Sequence, residues 1–418
     1  MGWRPARPPR PFGRRPPTDS SEFRELADLA SSAGARVVGS ARQSSPSPNP
    51  AHLLGKGKVE EVGQEARAAS ADLLLFDNDL TPTQLRNLER MLDLKVVDRT
   101  QLILDIFSRH ARSREGKLQV ELAQLTYLLP RLTGRGTMLS RLGGGIGTRG
   151  PGEQKLEIDR RRIRSRILRL SRSLERVRSQ RALHRKFRES RQFHMVALVG
   201  YTNAGKSTLF NVLTQSEVVT SPQMFATLDP TVRALAGDSR QPVLLSDTVG
   251  FIRHLPPHLM VAFRATLEQL KEAGLIVHVT DAADPNYLEH DSEVENLLAD
   301  LQVASTPRLH VFNKIDLLSP REVGRLPHGP EQVHVSAAGL IGLPELLSKI
   351  DQVLTSSEQQ ATFRFSAADG ERINALYRSG RVLAKEYRGG EVWIRAQVSE
   401  SVRRRFEPYL ASATVDVA

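Results

Sequence analysis

Four residues at a fixed spacing carry the sharpest chemistry in this 418-residue chain. Gly200, Gly205, Lys206 and Ser207 stand in the stretch GYTNAGKS, the G-x-x-x-x-G-K-S spacing of a phosphate-binding P-loop. Glycines let the main chain wrap a phosphate, so that successive N–H groups at a helix N-terminus face the negative charge. Lys206 is placed to reach β- and γ-phosphates, and the Ser207 hydroxyl to ligate Mg²⁺. The flanks supply the context: an apolar strand precedes the loop and a helix follows it. A chance Gly-Lys-Ser turn would lack both.

Four further motifs follow in order. Ala226-Thr227-Leu228-Asp229-Pro230-Thr231 lies about twenty residues on. Thr227 can there close over a γ-phosphate and ligate Mg²⁺, as a first switch does. The strand Val243–Leu245 runs into Asp247-Thr248-Val249-Gly250, with Asp247 in the Mg²⁺ shell and the Gly250 N–H against the γ-phosphate. Leu309–Phe312 leads to Asn313-Lys314-Ile315-Asp316. The Asp316 carboxylate can accept from the N1 and N2 groups that guanine has and adenine lacks, at about 1.5–3 kcal/mol per bond. Ser336-Ala337-Ala338 follows Val333–Val335, where it would support the base at O6. Each motif alone is weak; five in sequence predict a GTP-binding domain. Phe251 occupies the place where Ras-like enzymes put a water-orienting glutamine, so slow unassisted turnover is expected.

The elements around this site are read from composition and periodicity. The chain has no cysteine, which excludes disulfides and thiolate metal sites. No apolar run approaches the length of a membrane span and no secretory signal opens the sequence, so a soluble, cytoplasmic protein is expected. The net charge of +12 is concentrated: residues 149–191 hold sixteen Arg or Lys against five Asp or Glu, and residues 1–18 hold five arginines and no acid. A polyanionic partner at those pieces follows.

Residues 1–20 are Pro- and Arg-rich and read as a disordered tail. Residues 21–98 alternate helical (Glu22–Ala33, Val59–Ala69, Pro82–Met91) and extended (Ala35–Val38, Asp72–Phe76, Leu94–Val97) patterns, a small α/β domain with a mainly parallel sheet. Its loop Gly55–Lys58 reads as a plain turn, with anion binding the weaker alternative. Residues 99–191 read as an antiparallel helical-hairpin arm. Leucines 118, 122, 125, 129 and 132 form one heptad stripe, Leu156, Ile163, Ile167, Leu170, Leu174 and Val177 the other. Thr100–Arg112 is expected to lengthen the first arm helix. Residues 133–152 (TGRGTMLSRLGGGIGTRGPG) form the tip, with eight glycines, Arg135, Arg141 and Arg149 and no acid. Ordering that loop costs roughly 1–2 kcal/mol per residue, which favours a loop ordered by a nucleic-acid partner over a floppy linker. The nucleotide domain spans 192–356. Residues 361–418 read as a βαββα unit of α+β class.

Together GYTNAGKSTLFN, FATLDPT, DTVGF, NKID, GGGIGTRGPGE and the heptad arm resemble the HflX family of GTPases, over about residues 22–418. The implied architecture is α/β: a P-loop GTPase domain with an N-terminal α/β domain, the helical arm and a C-terminal α+β domain. The resemblance implies a monomeric, ribosome-associated GTPase that contacts the large subunit. It would insert the 133–152 loop and basic arm 149–191 into rRNA near the peptidyl transferase centre and split stalled or idle 70S ribosomes under stress. It places nucleotide contacts at Gly200, Tyr201, Thr202, Asn203, Ala204, Gly205, Lys206 and Ser207, and at Phe225, Ala226, Thr227, Leu228 and Asp229. The rest fall at Asp247, Thr248, Val249 and Gly250, at Asn313, Lys314, Ile315 and Asp316, and at Ser336, Ala337 and Ala338. Lys206, Thr227 and Gly250 would serve the reaction, and Ser207 and Thr227 would ligate Mg²⁺. Tail 1–20 has no counterpart in that pattern. The alternative is an RNA-binding or ribosome-assembly factor in which GTP is mainly structural. An ATP-driven remodeller would rest on Gly55–Lys58 alone.

Overall fold

A computed structural model describes residues 21–45, 47–132, 151–191, 193–216, 224–225, 227, 231–235, 243–253, 268–356, 359–398 and 400–411. Tail 1–20, tip residues 133–150 and the switch residues Ala226, Leu228 and Asp229 lie outside them.

The chain begins with α1 (Ser21–Ser32), α2 (Lys56–Ala68), β1 (Leu73–Phe76), α3 (Pro82–Leu92) and β2 (Lys95–Asp98). Local chemistry sets the start of α3. The Thr81 hydroxyl accepts from the Gln84 N–H, the Gln84 side chain accepts from the Thr81 N–H, and Pro82 supplies the first helical φ. β1 and β2 pair in parallel over Val59, Leu88, Leu92 and Val96. Ala35–Val38, expected to be extended, joins no sheet, and residues 35–45 have no regular secondary structure. Val37 and Val38 stay 48% and 37% exposed, so no strand gains by pairing with them.

The helix α4 (Arg99–His110) corrects a second expectation. It does not lengthen the arm. It ends at His110, and Ser113 caps a new helix, α5 (Arg114–Arg131), accepting from the Gly116 N–H at 2.9 Å. Leu102, Ile103, Leu104, Ile106 and Phe107 are all buried, too many apolar faces for a solvent-borne arm. The arm is α5 packed on α6 (Pro151–Arg191). The leucine stripe of α5 is only half-buried, while Val120, Ala123 and Tyr127 turn into the cluster that holds α4. Glu121 binds Arg166 of α6 through two bonds of 2.7 and 2.9 Å. At 1.5 Å per residue α6 extends about 62 Å against about 27 Å for α5.

The large sheet is built from β3 (His194–Val199), β4 (Thr231–Ala234), β5 (Val243–Asp247), β6 (Leu275–Asp281), β7 (Arg308–Asn313) and β8 (Gln332–His334), with α7 (Lys206–Thr214), α8 (Tyr287–Asp300) and α9 (Leu343–Ser356) beside it. Its order is β4-β5-β3-β6-β7-β8, parallel except at edge strand β4. β3 and β6 are near-continuous apolar runs because helices cover both faces of a parallel sheet. Register brings Leu198 opposite Asp247 and Val199 opposite His278, so the loops after β3, β5, β6 and β7 converge at one end. One hydrophobic cluster joins the front of the chain to this sheet: Leu29, Ile103 and Phe107 pack with Val199, Tyr201, Phe225, Phe251 and Val294.

The last elements are β9 (Gln359–Ser366), α10 (Gly370–Ser379), β10 (Arg381–Arg388), β11 (Glu391–Val398) and α11 (Glu400–Arg405). Their antiparallel order β10-β11-β9 is that of the first three strands of a ferredoxin-like sheet, over Phe363, Phe365, Ile394, Val402 and Phe406. No described helix is long and apolar enough to cross a membrane.

Candidate nucleotide site

The loop between β3 and α7 depends on two glycines. Gly200 has φ 150°, and a Cβ there would lie 2.0 Å from the Val279 carbonyl oxygen. Gly205 has φ 88°, and a Cβ would sit 2.2 Å from Asn313 Nδ2. Lys206 follows as the first residue of α7 and is buried. Its Nζ donates to the carbonyls of Gly200 at 3.0 Å and Tyr201 at 2.7 Å. Burial lowers its pKa to about 8, with Asp247 pulling it up and Lys314 pushing it down. Gly250 closes against the same loop: a Cβ would lie 2.9 Å from Thr202 Cα and 3.1 Å from Lys206 Nζ.

Three oxygens from distant segments converge beside Lys206. Ser207 Oγ donates to Asp247 Oδ2 at 2.7 Å and lies 2.9 Å from Thr227 Oγ1, which itself donates to Asp247 Oδ2 at 3.1 Å. Asp247 is fully buried, and its Oδ1 has no hydrogen-bond partner among the described residues. Burial pushes this carboxyl up, against bonds from Ser207 and Thr227 and the Lys206 charge. The donors are all hard oxygens. Adjacent ligands of an octahedron with bonds of about 2.0–2.1 Å stand about 2.9 Å apart, so the cluster fits Mg²⁺.

Asn313, at the end of β7, ties the base side to the P-loop. Its Nδ2 donates to the Ala204 carbonyl at 2.9 Å, and its Oδ1 accepts from the Ala337 N–H at 3.0 Å. Lys314, at φ 66°, pairs with Asp281 at 2.6 Å. Asp316 is exposed. Ser336 is buried, its Oγ accepting from the Gly339 N–H at 2.8 Å, while Ala338 is exposed.

Other positions named from the motifs face elsewhere. Thr248 donates to the Leu198 carbonyl at 2.6 Å, and Val249 is core. Ile315 packs on the Phe312 cluster. The Phe225 ring meets Phe107 edge-on at 4.6 Å. Asn203 is exposed at φ 62°. Phe251 is 2% exposed with its ring in the core; its main chain exchanges bonds with Gly200 and Thr202 at 3.1 and 2.7 Å. Its side chain therefore has no access to a phosphate-bound water.

Several residues that hold this site were not legible from motifs. The Tyr201 hydroxyl donates to Glu25 of α1, which also pairs with buried Arg99. Arg99 donates to the Arg253 carbonyl at 2.9 Å, and the Arg253 N–H donates to the Tyr201 hydroxyl at 2.9 Å. Ser32 accepts from the Met224 N–H at 2.8 Å. The front of the chain thus grips both switch regions. These partners stand 52 to 192 residues apart, beyond any local pattern. Asp281 carried a fainter signal, as an acid ending a buried strand.

A strand, P-loop and helix, with Ser207, Thr227 and Asp247 clustered and an Asn313–Asp316 segment behind them, define a P-loop GTPase. Family models agree in order: "GTP-binding GTPase N-terminal" over residues 20–108, "GTP-binding GTPase Middle Region" over 110–188 and "50S ribosome-binding GTPase" over 195–314. The chain is 46% identical to a GTPase HflX of Caldanaerobacter subterraneus over 397 residues, covering 95% of this chain and 92% of the relative. It is 43% identical to the GTPase HflX of Escherichia coli over 372 residues, covering 88% and 87%. The chain belongs to the HflX family of GTPases and is a GTP hydrolase. A crystal structure of a GTP-binding protein from Sulfolobus solfataricus in complex with GDP is 26% identical, covers 81% of this chain and 97% of its own, and superposes with a TM-score of 0.43.

Proposed function

We propose that this GTPase binds the large ribosomal subunit in its GTP state, splits or rescues stalled or idle 70S ribosomes in the cytoplasm, and leaves on hydrolysis. The observation that carries this reading is the arm. α6 runs 41 residues against 18 for α5, is rich in arginine, and begins where the glycine-rich stretch 133–150 ends. A basic helix that outruns its partner is suited to reaching phosphate-rich RNA. A family model named "50S ribosome-binding GTPase" supports the same partner.

At the nucleotide, Lys206 exchanges the Gly200 and Tyr201 carbonyls for β- and γ-phosphate oxygens. The main chain of residues 200–205 and Gly250 donates N–H groups. Asp316 accepts from the guanine edge while Asn313 holds the loops together. Ser207, Thr227 and Asp247 would hold Mg²⁺, which when bound neutralises charge on the phosphates. Thr227 belongs to the first switch and Asp247 leads into the second, so their meeting at Ser207 links nucleotide state to both switches. Phe251 supplies no side chain to orient water at the position where Ras-like enzymes use glutamine. Turnover by the isolated protein is therefore slow, and the docked ribosome stimulates it.

Sedimentation of 70S ribosomes with this protein and GTP tests the reading. Subunits separate with the intact chain. They stay joined when Gly143–Gly147 are deleted, although that variant still binds GDP. Equal large-subunit affinity with GDP and with a non-hydrolysable GTP analogue would refute the switch.

A further inference from the structure

Beside the nucleotide site lies a second cluster of ligand-type side chains. His278 and Thr280 share one face of β6, His310 stands directly opposite His278 on β7, and α8 lays Asp291 and Glu295 across them. His278 Nε2 is 3.4 Å from Asp291 Oδ1, and His310 Nε2 is 3.2 Å from Asp291 Oδ2. One donor atom from each of the three residues falls within 4.8 Å of the others. Thr280 Oγ1 completes the group, 2.8 Å from His310 Nε2 and 2.5 Å from Asp291 Oδ1.

Two observations point to a ligand. The His278 side chain is 4% exposed, yet among the described residues its Nε2 makes no well-formed hydrogen bond, its nearest polar partner being Asp291 Oδ1 at 3.4 Å across the cluster. Its other nitrogen, Nδ1, faces Glu295 Oε1 at 3.6 Å, and Glu295 is itself held by Arg308. A carboxylate behind one imidazole nitrogen orients the ring and leaves the other nitrogen as a donor pair, the usual outer support of a metal-bound histidine. Two imidazoles, which are borderline donors, together with one carboxylate suit Zn²⁺ and its neighbours better than Mg²⁺.

We propose that His278, His310 and Asp291 bind a divalent transition-metal ion, with Zn²⁺ as the probe, at a site separate from the hard-oxygen cluster of Ser207, Thr227 and Asp247. The imidazole rings are parallel with centroids 4.6 Å apart, so binding tilts them until both Nε2 atoms meet one ion. Thr280 or a water fills the fourth position. Thr280 and Asp291 also line a small cleft together with His290 and Tyr201, which brings one edge of the cluster to a cavity. The ion would clamp α8 to β6 and β7, the strands ending in Asp281 and Asn313 that position the guanine contacts.

The test uses the full chain saturated with GDP and excess Mg²⁺, so that the nucleotide site cannot take the probe. Zn²⁺ is titrated against a competing chelator. One Zn²⁺ per chain is expected, with the unfolding midpoint rising on binding. Asp291→Asn and His310→Ala each weaken it at least about 100-fold, and Glu295→Gln about 10–100-fold. GDP affinity and the zinc-free unfolding midpoint report whether each variant folds. Should the variants not fold, Co²⁺ added to the unaltered chain decides: tetrahedral visible bands support the site, and an octahedral spectrum overturns it. The proposal also fails if no equivalent of Zn²⁺ binds, or if binding survives Asp291→Asn and His310→Ala within about twofold.

Discussion

Lys206 makes nucleotide binding a proton-uptake reaction at alkaline pH. Without phosphate its ammonium is buried against two carbonyls and its pKa is lowered to about 8. Beside two phosphates the charged form is favoured again, so the bound value returns to at least the ordinary 10.4 or so. At pH 7 the lysine is charged in both states and little proton is taken up. At pH 9 the free protein holds about 0.1 proton on Lys206 and the complex about 1, so binding takes up about 0.9 proton. Affinity should fall about tenfold from pH 7 to pH 9, or about 1.4 kcal/mol. The assay is titration calorimetry of a non-hydrolysable GTP analogue in excess Mg²⁺, run at pH 9 in two buffers of different ionisation enthalpy. Binding enthalpies that do not depend on the buffer, or equal affinities at pH 7 and 9, would refute the argument. Stability of the nucleotide-free protein runs in the opposite direction to affinity. The folded value lies below the unfolded one, so the cost of burying the ammonium is present below about pH 8. It is relieved as pH rises from there towards 10.4, and the nucleotide-free protein gains stability across that window.

Three other outcomes follow from named contacts. Glu25→Ala leaves buried Arg99 with the half-exposed Asp77 as its one carboxylate partner among the described residues and strips the Tyr201 hydroxyl of its acceptor. A loss of about 3–5 kcal/mol is expected, read as a lowered thermal midpoint, and a loss under about 1 kcal/mol would show that the pair is not desolvated. Asp316→Ala removes the two bonds proposed to guanine, and GDP binding is expected to weaken by about 3–6 kcal/mol while the fold stays intact, since the side chain is exposed. GTP turnover should rise on adding large ribosomal subunits, in a manner that weakens steeply with salt as arginine–phosphate contacts are screened; fast turnover without subunits would show that a group other than the Phe251 position already orients water.

The nucleotide site was legible because its chemistry is local. Gly200, Gly205, Lys206 and Ser207 must be close in sequence to wrap one phosphate, and each remaining motif ends a strand whose apolar run announces it. The parallel sheet then brings those strand ends together, so motif order implied spatial convergence. The arm was partly legible. Its heptad leucines marked α5 and α6, yet Thr100–Arg112 shared that helical pattern and was read into it. Only the packing of Phe107, Ile103 and Leu104 against α1 and the sheet separates α4 from the arm. A helical period says that a helix has an apolar face, not which partner covers it.

The sequence by itself determined the phosphate loop, the Asn313–Asp316 motif and the basic helix, because periodicity and spacing within a few turns define each. Tertiary structure decided what surrounds them. It put the Phe251 ring in the core, stacked His278 on His310, and joined Glu25, Arg99, Tyr201 and Arg253 in one buried relay. Those contacts join residues up to 176 positions apart in sequence, and a buried charge has no local signature until the fold supplies its partner.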